Sequence, residues 1–324
     1  MTRPFRSPLA PELRSFLTFK RQLGYRYHRA AFTLAAFDAF LVRYAAQSGA
    51  WQFDQAVLAW LASKIHRKTI SVAADIAVLR QFCRYQHRLV DQAPLPEPRW
   101  PHVPTSCTFV PTILSTRDVC RLLAQAAQLA QPPFRAAMYR ALILLLYCTG
   151  LRFGEALRLR LRDVDTRSGV LFIETFKGRA RWVPVHRSLT RELGRYLTAR
   201  RAFAFADPDD RVFVGIDRKR LPVSTAWHTM NTLFRAAGLK PEPGRVGPRP
   251  YDLRHTFAVH RLTQWYRQGT DLHARLPWLS AYMGHVDILG TETYLTATPA
   301  LLGLATSRLR RRFLRPTGVP GERP

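Results

Sequence analysis

Several features of other protein classes are missing from this 324-residue sequence. It has no run of about 18 uncharged apolar residues, the length that a membrane-spanning helix requires. Its first residues lack the apolar segment of a signal peptide, and its four cysteines show no CxxC pair or Cys/His spacing typical of zinc. We therefore expect a cytoplasmic protein with no membrane span, metal or disulfide framework, whose cysteines are small core residues.

Acidic side chains are also scarce, because 22 aspartates and glutamates are outnumbered by 50 lysines and arginines, which gives a net charge of +28. Both halves share the excess: residues 1–112 carry +9 and residues 113–324 carry +19. A basic field of this size predicts a polyanionic partner. Its distribution fits two domains that hold a nucleic acid duplex from both sides.

The N-terminal third has apolar residues at helical spacing in four segments. Two helices are predicted over residues 9–23 and 30–47, a third begins with Asp54 as its cap, and a fourth begins with Thr69 as its cap. We expect these segments to form an all-helical domain over residues 1–93. Three basic side chains near the fourth helix are predicted contacts to phosphates: Arg67, Lys68 and Arg80.

Residues 94–112 contain six prolines, at 94, 96, 98, 101, 104 and 111. Proline lacks an amide donor and clashes with the preceding helical turn, so this segment cannot continue a helix. It is predicted to be an extended linker to a second domain over residues 113–315. The last residues, 316–324, have the composition of a disordered tail.

The second domain is predicted to be mainly helical. Ser115 and Asp118 indicate a capped helix start, and the apolar residues 133–148 predict a buried helix that ends at Gly150. Further helices are expected on both sides of a polar loop at 206–223, over residues 188–204 and 224–237.

A β-hairpin interrupts these helices, because β-type runs at 169–174 and 181–185 flank Lys177. The lysine is expected at the hairpin tip. An ammonium group near other cations can have its pKa lowered towards neutrality and act as a general acid, whereas a guanidinium holds its proton too tightly.

Two further motifs carry phosphate chemistry. Thr149-Gly150-Leu151-Arg152 follows the apolar helix, and Glu155, one helical turn on, is placed to hold the arginine. Tyr251-Asp252-Leu253-Arg254-His255-Thr256 is followed by Met283-Gly284-His285, and Tyr294 comes nine residues after that histidine. An arginine fork suits two phosphate oxygens, and a phenol beside such a clamp can attack the phosphorus atom.

In their order and spacing, these motifs resemble those of the tyrosine recombinase (phage integrase) family. The resemblance implies a mainly α-helical fold with a small antiparallel β-hairpin or sheet, made of an N-terminal helical core-binding domain and a C-terminal catalytic domain. It also implies a site-specific DNA recombinase or integrase that cleaves and rejoins strands through a 3′-phosphotyrosyl intermediate, for a mobile genetic element. The partner is then double-stranded DNA, bound by a homotetramer or a hetero-assembly with related recombinases, and the protein is nucleoid-associated when bound.

The resemblance also assigns catalytic roles. Arg152 and Arg254 clamp the scissile phosphate. Tyr294 attacks it, Lys177 protonates the departing 5′-oxygen, and His285 hydrogen-bonds a phosphate oxygen. No metal or nucleotide cofactor is implied, because the phosphotyrosyl ester retains the bond energy for rejoining.

The sequence departs from the family at two of these positions. Many relatives place the hairpin lysine one residue earlier, where this chain has Phe176. The family usually has histidine three residues before the second arginine, where this chain has Tyr251. A tyrosine can donate one hydrogen bond, but it is a poor acid or base at its unperturbed pKa of about 10. His255, next to Arg254, is predicted to be structural.

Two other functions stay open on this sequence: a type IB topoisomerase, which relaxes supercoils by similar chemistry, and a non-catalytic DNA-binding regulator on the same fold.

A final helix is predicted to carry Leu301, Leu302 and Leu304. It docks either on the neighbouring protomer, as the resemblance implies, or on its own domain.

Overall fold

The computed structural model describes residues 4–49, 52–90, 111–129, 132–174, 180–204, 207, 209–241, 247–292, 294, 303 and 306–307. The chain divides into two compact units, residues 1–109 and 110–324, and the boundary lies within the predicted linker. Most of that linker, the tail at 316–324, the hairpin tip with Lys177 and the leucines at 301, 302 and 304 lie outside the described residues.

Four helices make up the described part of the first unit: α1 (Ala10–Gln22), α2 (His28–Ser48), α3 (Phe53–Ala62) and α4 (Thr69–His87). Their apolar faces meet in one core that includes Leu13, Phe16, Phe37, Val57 and Leu79. The burial of these side chains supplies the driving force for the bundle, since each large apolar side chain contributes about 1.5–3 kcal/mol when removed from water.

The predicted caps of α3 and α4 were wrong by one or two positions. The residues that precede these helices are Gln52 and Lys68, and neither makes a side-chain cap hydrogen bond. Asp54 and Thr69 already lie within the first turn, where the backbone is helical. An acidic side chain there still favours the helix, because it lies near the positive end of the macrodipole.

The second unit contains a three-stranded sheet among helices. Its described elements are α5 (Thr116–Ala127), α6 (Pro133–Thr149), α7 (Phe153–Arg158), a 3-10 turn (Leu161–Asp163), β1 (Val164–Asp165), β2 (Val170–Ile173), β3 (Arg181–Pro184), α8 (Arg187–Phe203), α9 (Val223–Ala236), α10 (Asp252–Arg267), α11 (Leu272–Met283) and α12 (Leu289–Glu292). The start of α5 is the predicted one, because Ser115 and Asp118 form a reciprocal capping box.

The sheet is antiparallel with the order β1-β2-β3, and Leu171 of β2 lies opposite Val183 of β3. This confirms the mainly α fold with a small antiparallel sheet. The buried side chains of Leu171, Ile173 and Val183 alternate with half-buried or exposed neighbours, as expected for a sheet that covers the core with one face. The two-residue strand β1 was not predicted, since it is too short to show a period.

Helix α6 forms the centre of the second unit, as predicted. Leu142, Ile143, Leu145 and Leu146 are buried, and α5, α8 and α10 pack around the helix. It ends at Gly150, whose φ of 62° is left-handed, and a Cβ at this position would clash with the ring of Phe257. Neither α6 nor any other described helix is both long and apolar enough to cross a membrane.

The predicted loop lies between α8 and α9 and contains no helix or strand among its described residues, but it is not polar throughout. Residues 212–214 are buried, and the Tyr196 hydroxyl donates to the carbonyl of Val212 at 2.7 Å. This short apolar run was not recognised in the sequence, because charged residues precede and follow it. The expectation that the cysteines are core residues is confirmed for Cys83 of the first unit and wrong for Cys120 and Cys148, which lie on exposed helix faces. Cys107 lies outside the described residues.

Candidate active site

Arg152 is held at the start of α7 by Glu155, as the sequence predicted. The Glu155 carboxylate accepts from the Arg152 backbone N–H at 3.0 Å and from its Nη1 at 2.9 Å. Burial alone would raise the pKa of Glu155, but hydrogen bonds and charge from Arg181 and Arg152 hold it below its usual value. The carboxylate is therefore ionised, and it fixes an arginine side chain that is 34% exposed.

Arg254, in the first turn of α10, is almost completely buried, with 1% exposure. Its Nη1 donates to the Gly150 carbonyl at 2.6 Å and its Nη2 to the Met283 carbonyl at 3.0 Å. Its Nε has no partner among the described residues. Burial lowers the pKa of this guanidinium, which nevertheless stays charged at neutral pH. A buried charge with an unsatisfied donor is costly, so the site is suited to an anion.

Three arginines converge on one helix end. The consecutive carbonyls of residues 282–284, where α11 ends, accept from Arg181 Nε at 2.8 Å, from Arg254 Nη2 at 3.0 Å and from Arg152 Nη2 at 2.9 Å, in that order. The last carbonyls of a helix have no intrahelical partner, and the macrodipole makes this end negative. Both effects favour guanidinium groups here, although these cations repel one another.

His285 follows directly after that helix end. Gly284, with a φ of 69°, turns the chain, and the His285 N–H donates to the Ser280 carbonyl at 3.0 Å. The ring Nδ1 lies 2.6 Å from the hydroxyl of the buried Thr291. Burial, together with the charges of Arg254 and Arg152, lowers the pKa of His285 to about 4. The imidazole is thus neutral at pH 7, and if Nδ1 accepts from Thr291, Nε2 carries the proton and can donate it.

Tyr294 lies in the same cluster and is 4% exposed. Its ring centroid is 6.2 Å from that of His285 and 5.4 Å from that of His255. Burial raises the pKa of the phenol, and the positive charges of Arg254 and Arg152 oppose this shift. One chain therefore brings the phenol and both arginines into one site.

Tyr251 borders this cluster through His255. The two rings pack edge to face with centroids 5.0 Å apart. Burial lowers the pKa of His255, and its Nδ1 has no hydrogen-bond partner within the described ranges. His255 thus lies between the two tyrosines, and Tyr251 lies at the edge of the site.

The remaining predicted residues are Lys177 and three basic side chains of the first unit. Lys177 is outside the described residues. In the first unit, Arg67 Nη1 pairs with Asp75 at 2.7 Å while half of its side chain is exposed, Lys68 is exposed at the start of α4, and Arg80 is half-buried on that helix. Their role as phosphate contacts stays a prediction.

Sequence reasoning missed two side chains of the site. Arg181 resembles any charged residue at the start of a strand, and Thr291 belongs to no sequence motif. The acceptors at residues 282–284 carried no signal either, because they are main-chain groups. Only the fold brings these groups to the arginines.

The model of the Phage integrase family matches residues 113–300, which contain the whole site described above. The chain belongs to this family, the tyrosine-type site-specific recombinases. The candidate integrase/recombinase y4rB of Sinorhizobium fredii is 32% identical over 308 residues, which cover 93% of this chain and 96% of y4rB. Tyrosine recombinase XerA of Thermococcus kodakarensis is 30% identical over 227 residues, 69% of each chain.

Solved structures of tyrosine recombinases share the fold. The Tn1549 transposon integrase in complex with transposon right end DNA matches with a TM-score of 0.67 and 15% identity, over 93% of this chain and 98% of its own. The XerH site-specific recombinase bound to palindromic difH substrate matches with a TM-score of 0.66 and 17% identity, over 86% of this chain and 78% of its own. The two-domain recombinase architecture expected from the sequence is thereby confirmed.

Proposed function

We propose that this recombinase cleaves and rejoins DNA strands by transesterification through a 3′-phosphotyrosyl intermediate. One observation carries the proposal: the buried phenol of Tyr294 lies in the same cluster as His285 and within the field of the Arg152 and Arg254 guanidiniums. A nucleophile, two fixed cations and a neutral donor are the groups that phosphoryl transfer to a tyrosine requires.

The two arginines bind the scissile phosphate. The unpartnered Nε of Arg254 and the exposed part of Arg152 donate to its non-bridging oxygens. His285 adds a donor through Nε2. Protein contacts hold Arg152 and His285 in place before DNA binds, so these donors stabilise the extra negative charge of the transition state with little reorganisation. Arg254 is buried, so its Nε becomes available only when the phosphate enters the site.

Tyr294 then attacks. Its oxygen bonds to phosphorus, the bond from phosphorus to the 5′-oxygen breaks, and the phenolic proton is released to solvent. Lys177 gives its proton to the departing 5′-oxygen, and Tyr251 donates one hydrogen bond to the phosphate. Attack by a 5′-hydroxyl of another strand reverses these steps and rejoins the DNA.

Double-stranded DNA is the proposed partner, and both units carry the positive charge to bind it. Among the structures that share this fold, a lambda integrase dimer is bound to a core site and a lambda integrase tetramer is bound to a Holliday junction. For this chain we infer a homotetramer, or a hetero-assembly with related recombinases, on paired sites, with Arg67, Lys68 and Arg80 as phosphate contacts of the first unit. We also propose service to a mobile element, which the family resemblance of the sequence implied.

The experiment traps the intermediate. Genomic fragments that flank the gene are selected by binding to the Tyr294→Phe variant, nicked near the bound site and incubated with wild type, Tyr294→Phe or Tyr266→Phe. We expect denaturant-stable protein–DNA adducts with wild type and Tyr266→Phe only, and equal binding by all three. Adducts formed by Tyr294→Phe would overturn the assignment, whereas binding without adducts by any protein would favour a regulator.

A second experiment distinguishes a recombinase from a type IB topoisomerase. It measures strand exchange between two sites beside relaxation of a supercoiled plasmid. A recombinase joins ends from two different duplexes. A topoisomerase of type IB relaxes plasmid without joining them, and that outcome would replace recombination in the proposal.

A further inference from the structure

We propose that Arg181 is a positioning residue that fixes both the Arg152–Glu155 pair and the end of α11, and so sets the geometry of the phosphate clamp. The proposal rests on the function proposed above. Arg181 is the first residue of β3, and its side chain is only 9% exposed. All three of its nitrogen atoms already donate to Glu155 or to the Tyr282 carbonyl, so its effect passes through the groups that it contacts.

One side of the Arg181 guanidinium holds Glu155. Nη2 donates to one carboxylate oxygen at 3.0 Å and Nη1 to the other at 3.4 Å. Glu155 uses the same two oxygens to hold the backbone N–H and Nη1 of Arg152. Arg181 therefore shares the negative charge of Glu155, which leaves Arg152 with positive charge for the phosphate, and it fixes the plane of the carboxylate.

The other side holds the end of α11, since Nε donates to the Tyr282 carbonyl at 2.8 Å. The next two carbonyls orient Arg254 and Arg152, and His285 follows directly. A shift of this turn would move both clamping arginines and the histidine together. Arg181 thus connects two parts of the site that are more than 100 residues apart in the sequence.

The close approach is built into the backbone at Gly284. A Cβ at this position would lie 2.5 Å from Nη1 and 2.6 Å from Cζ of Arg181. The residue's φ of 69° is also left-handed, so glycine meets both requirements. Because β3 pairs with β2 through Arg181 and Ile173, the same contact attaches the strands below the hairpin tip to the helix end.

The first test needs no DNA. Hydrogen exchange of the intact protein is measured by mass spectrometry for wild type, Arg181→Met, Arg181→Lys and Arg195→Met. Arg195 is a matched control, since it is an exposed arginine of the same unit that pairs only with Glu192 in the described contacts. We expect faster exchange across residues 280–287 in both Arg181 variants and unchanged exchange in α6, because the helix end loses a fixed contact.

The second test measures cleavage at saturating DNA in a single turnover. Both Arg181 variants are expected to cleave about 10²-fold more slowly, because small displacements of catalytic groups cost this much, with unchanged DNA affinity. Arg181→Met should also lower the melting temperature, because the buried Glu155 loses one of its partners, so the rates are compared at a temperature at which every variant is folded. Arg181→Lys should not restore the cleavage rate, since one ammonium group cannot reach Glu155 and the Tyr282 carbonyl together. In a protein that already carries Arg152→Ala, Arg181→Met should lower the cleavage rate only a few-fold.

The outcomes separate the two proposals. If the wild-type protein forms no adduct, the proposed function is wrong. The hydrogen-exchange experiment still decides whether Arg181 holds the helix end. Rescue by lysine would show that only charge matters and overturn the positioning role. Unchanged hydrogen exchange at residues 280–287 would also overturn the positioning role. The same holds if Arg181→Met lowers the cleavage rate equally with and without Arg152.

Discussion

The hydroxyl of Thr291 lies 2.6 Å from Nδ1 of His285 and is completely buried. This contact fixes the orientation of the imidazole ring. When the hydroxyl donates to Nδ1, the neutral ring carries its proton on Nε2, and that proton is available to a phosphate oxygen. A threonine outside every motif thus determines how the motif histidine works.

Replacement of Thr291 by valine keeps the shape of the side chain and removes the donor. We expect cleavage to slow about tenfold, since one hydrogen bond contributes about 1–1.5 kcal/mol, with little change in DNA affinity. Thr291→Ser should stay close to wild type. The single-turnover rate is the measurement, and a valine variant as fast as wild type would show that the contact has no catalytic consequence.

Tyr251 offers a gain-of-function prediction. The family usually has histidine here, and the phenol can supply only one hydrogen bond at neutral pH. Tyr251→His should therefore raise the cleavage rate, while Tyr251→Phe should lower it by up to about tenfold, the cost of one hydrogen bond. The ring packing against His255 is retained in the phenylalanine variant. If phenylalanine and histidine have equal effects, the hydroxyl takes no part in the reaction.

Lys177 is the proposed general acid. Lys177→Ala should slow cleavage by roughly 10² to 10⁴, whereas Arg179→Ala should have a small effect. A substrate with sulfur in place of the scissile 5′-oxygen provides the diagnostic measurement, because a thiolate leaves without protonation. It should restore cleavage by Lys177→Ala but not by Arg152→Ala, which lacks charge stabilisation. Equal defects on both substrates would leave His285 as the next group to examine.

The pKa of His285 predicts a pH dependence of stability. The folded value is lowered from 6.5 to about 4, so between these values the unfolded chain binds a proton that the folded chain does not. The stabilisation is fully present above pH 6.5 and is lost as the pH falls towards 4. His285→Asn should therefore lose less stability than wild type between pH 7 and pH 4.5, measured by denaturant unfolding. Parallel curves for the two proteins would contradict the shifted pKa.

The basic residues of the first unit provide a binding prediction. Lys68→Ala should weaken DNA binding on every sequence and reduce the salt slope by about 1, as the loss of one phosphate contact requires. Arg67→Ala should also lower stability, because the buried Asp75 accepts from Arg67, Lys64 and Thr33. Titrations at several salt concentrations measure the slope. If Lys68→Ala leaves the salt dependence of DNA affinity unchanged, Lys68 does not contact a phosphate.

Local signals were enough for much of the fold. The capping box of Ser115 and Asp118 and the glycine that ends α6 act over a few residues, so their patterns can be read directly. The same is true of Glu155, one turn from Arg152. Strand β1 and the buried residues 212–214 were missed, because runs of two or three residues have no detectable period.

The motif residues could be predicted, but their surroundings could not. Arg181 reaches a carbonyl 101 residues away, and no sequence period connects a strand to a helix end at that separation. Thr291 is near His285 in sequence, yet an isolated threonine has no distinctive spacing. The contact of Arg181 depends on the packing of α11 against β3, and that of Thr291 depends on the packing of α12 against α11.

The three carbonyls at the end of α11 have a genetic consequence. Every amino acid contributes a carbonyl, so missense changes at Tyr282 and Met283 cannot remove the acceptors that hold the arginines. Insertion or deletion of a single residue between Ser280 and His285 would rotate each acceptor by about 100° around the helix axis, as 3.6 residues per turn requires. Relatives of this recombinase should therefore keep the length of this turn constant and keep glycine at position 284, whereas the carbonyl acceptors themselves require no particular residue type at positions 282 and 283.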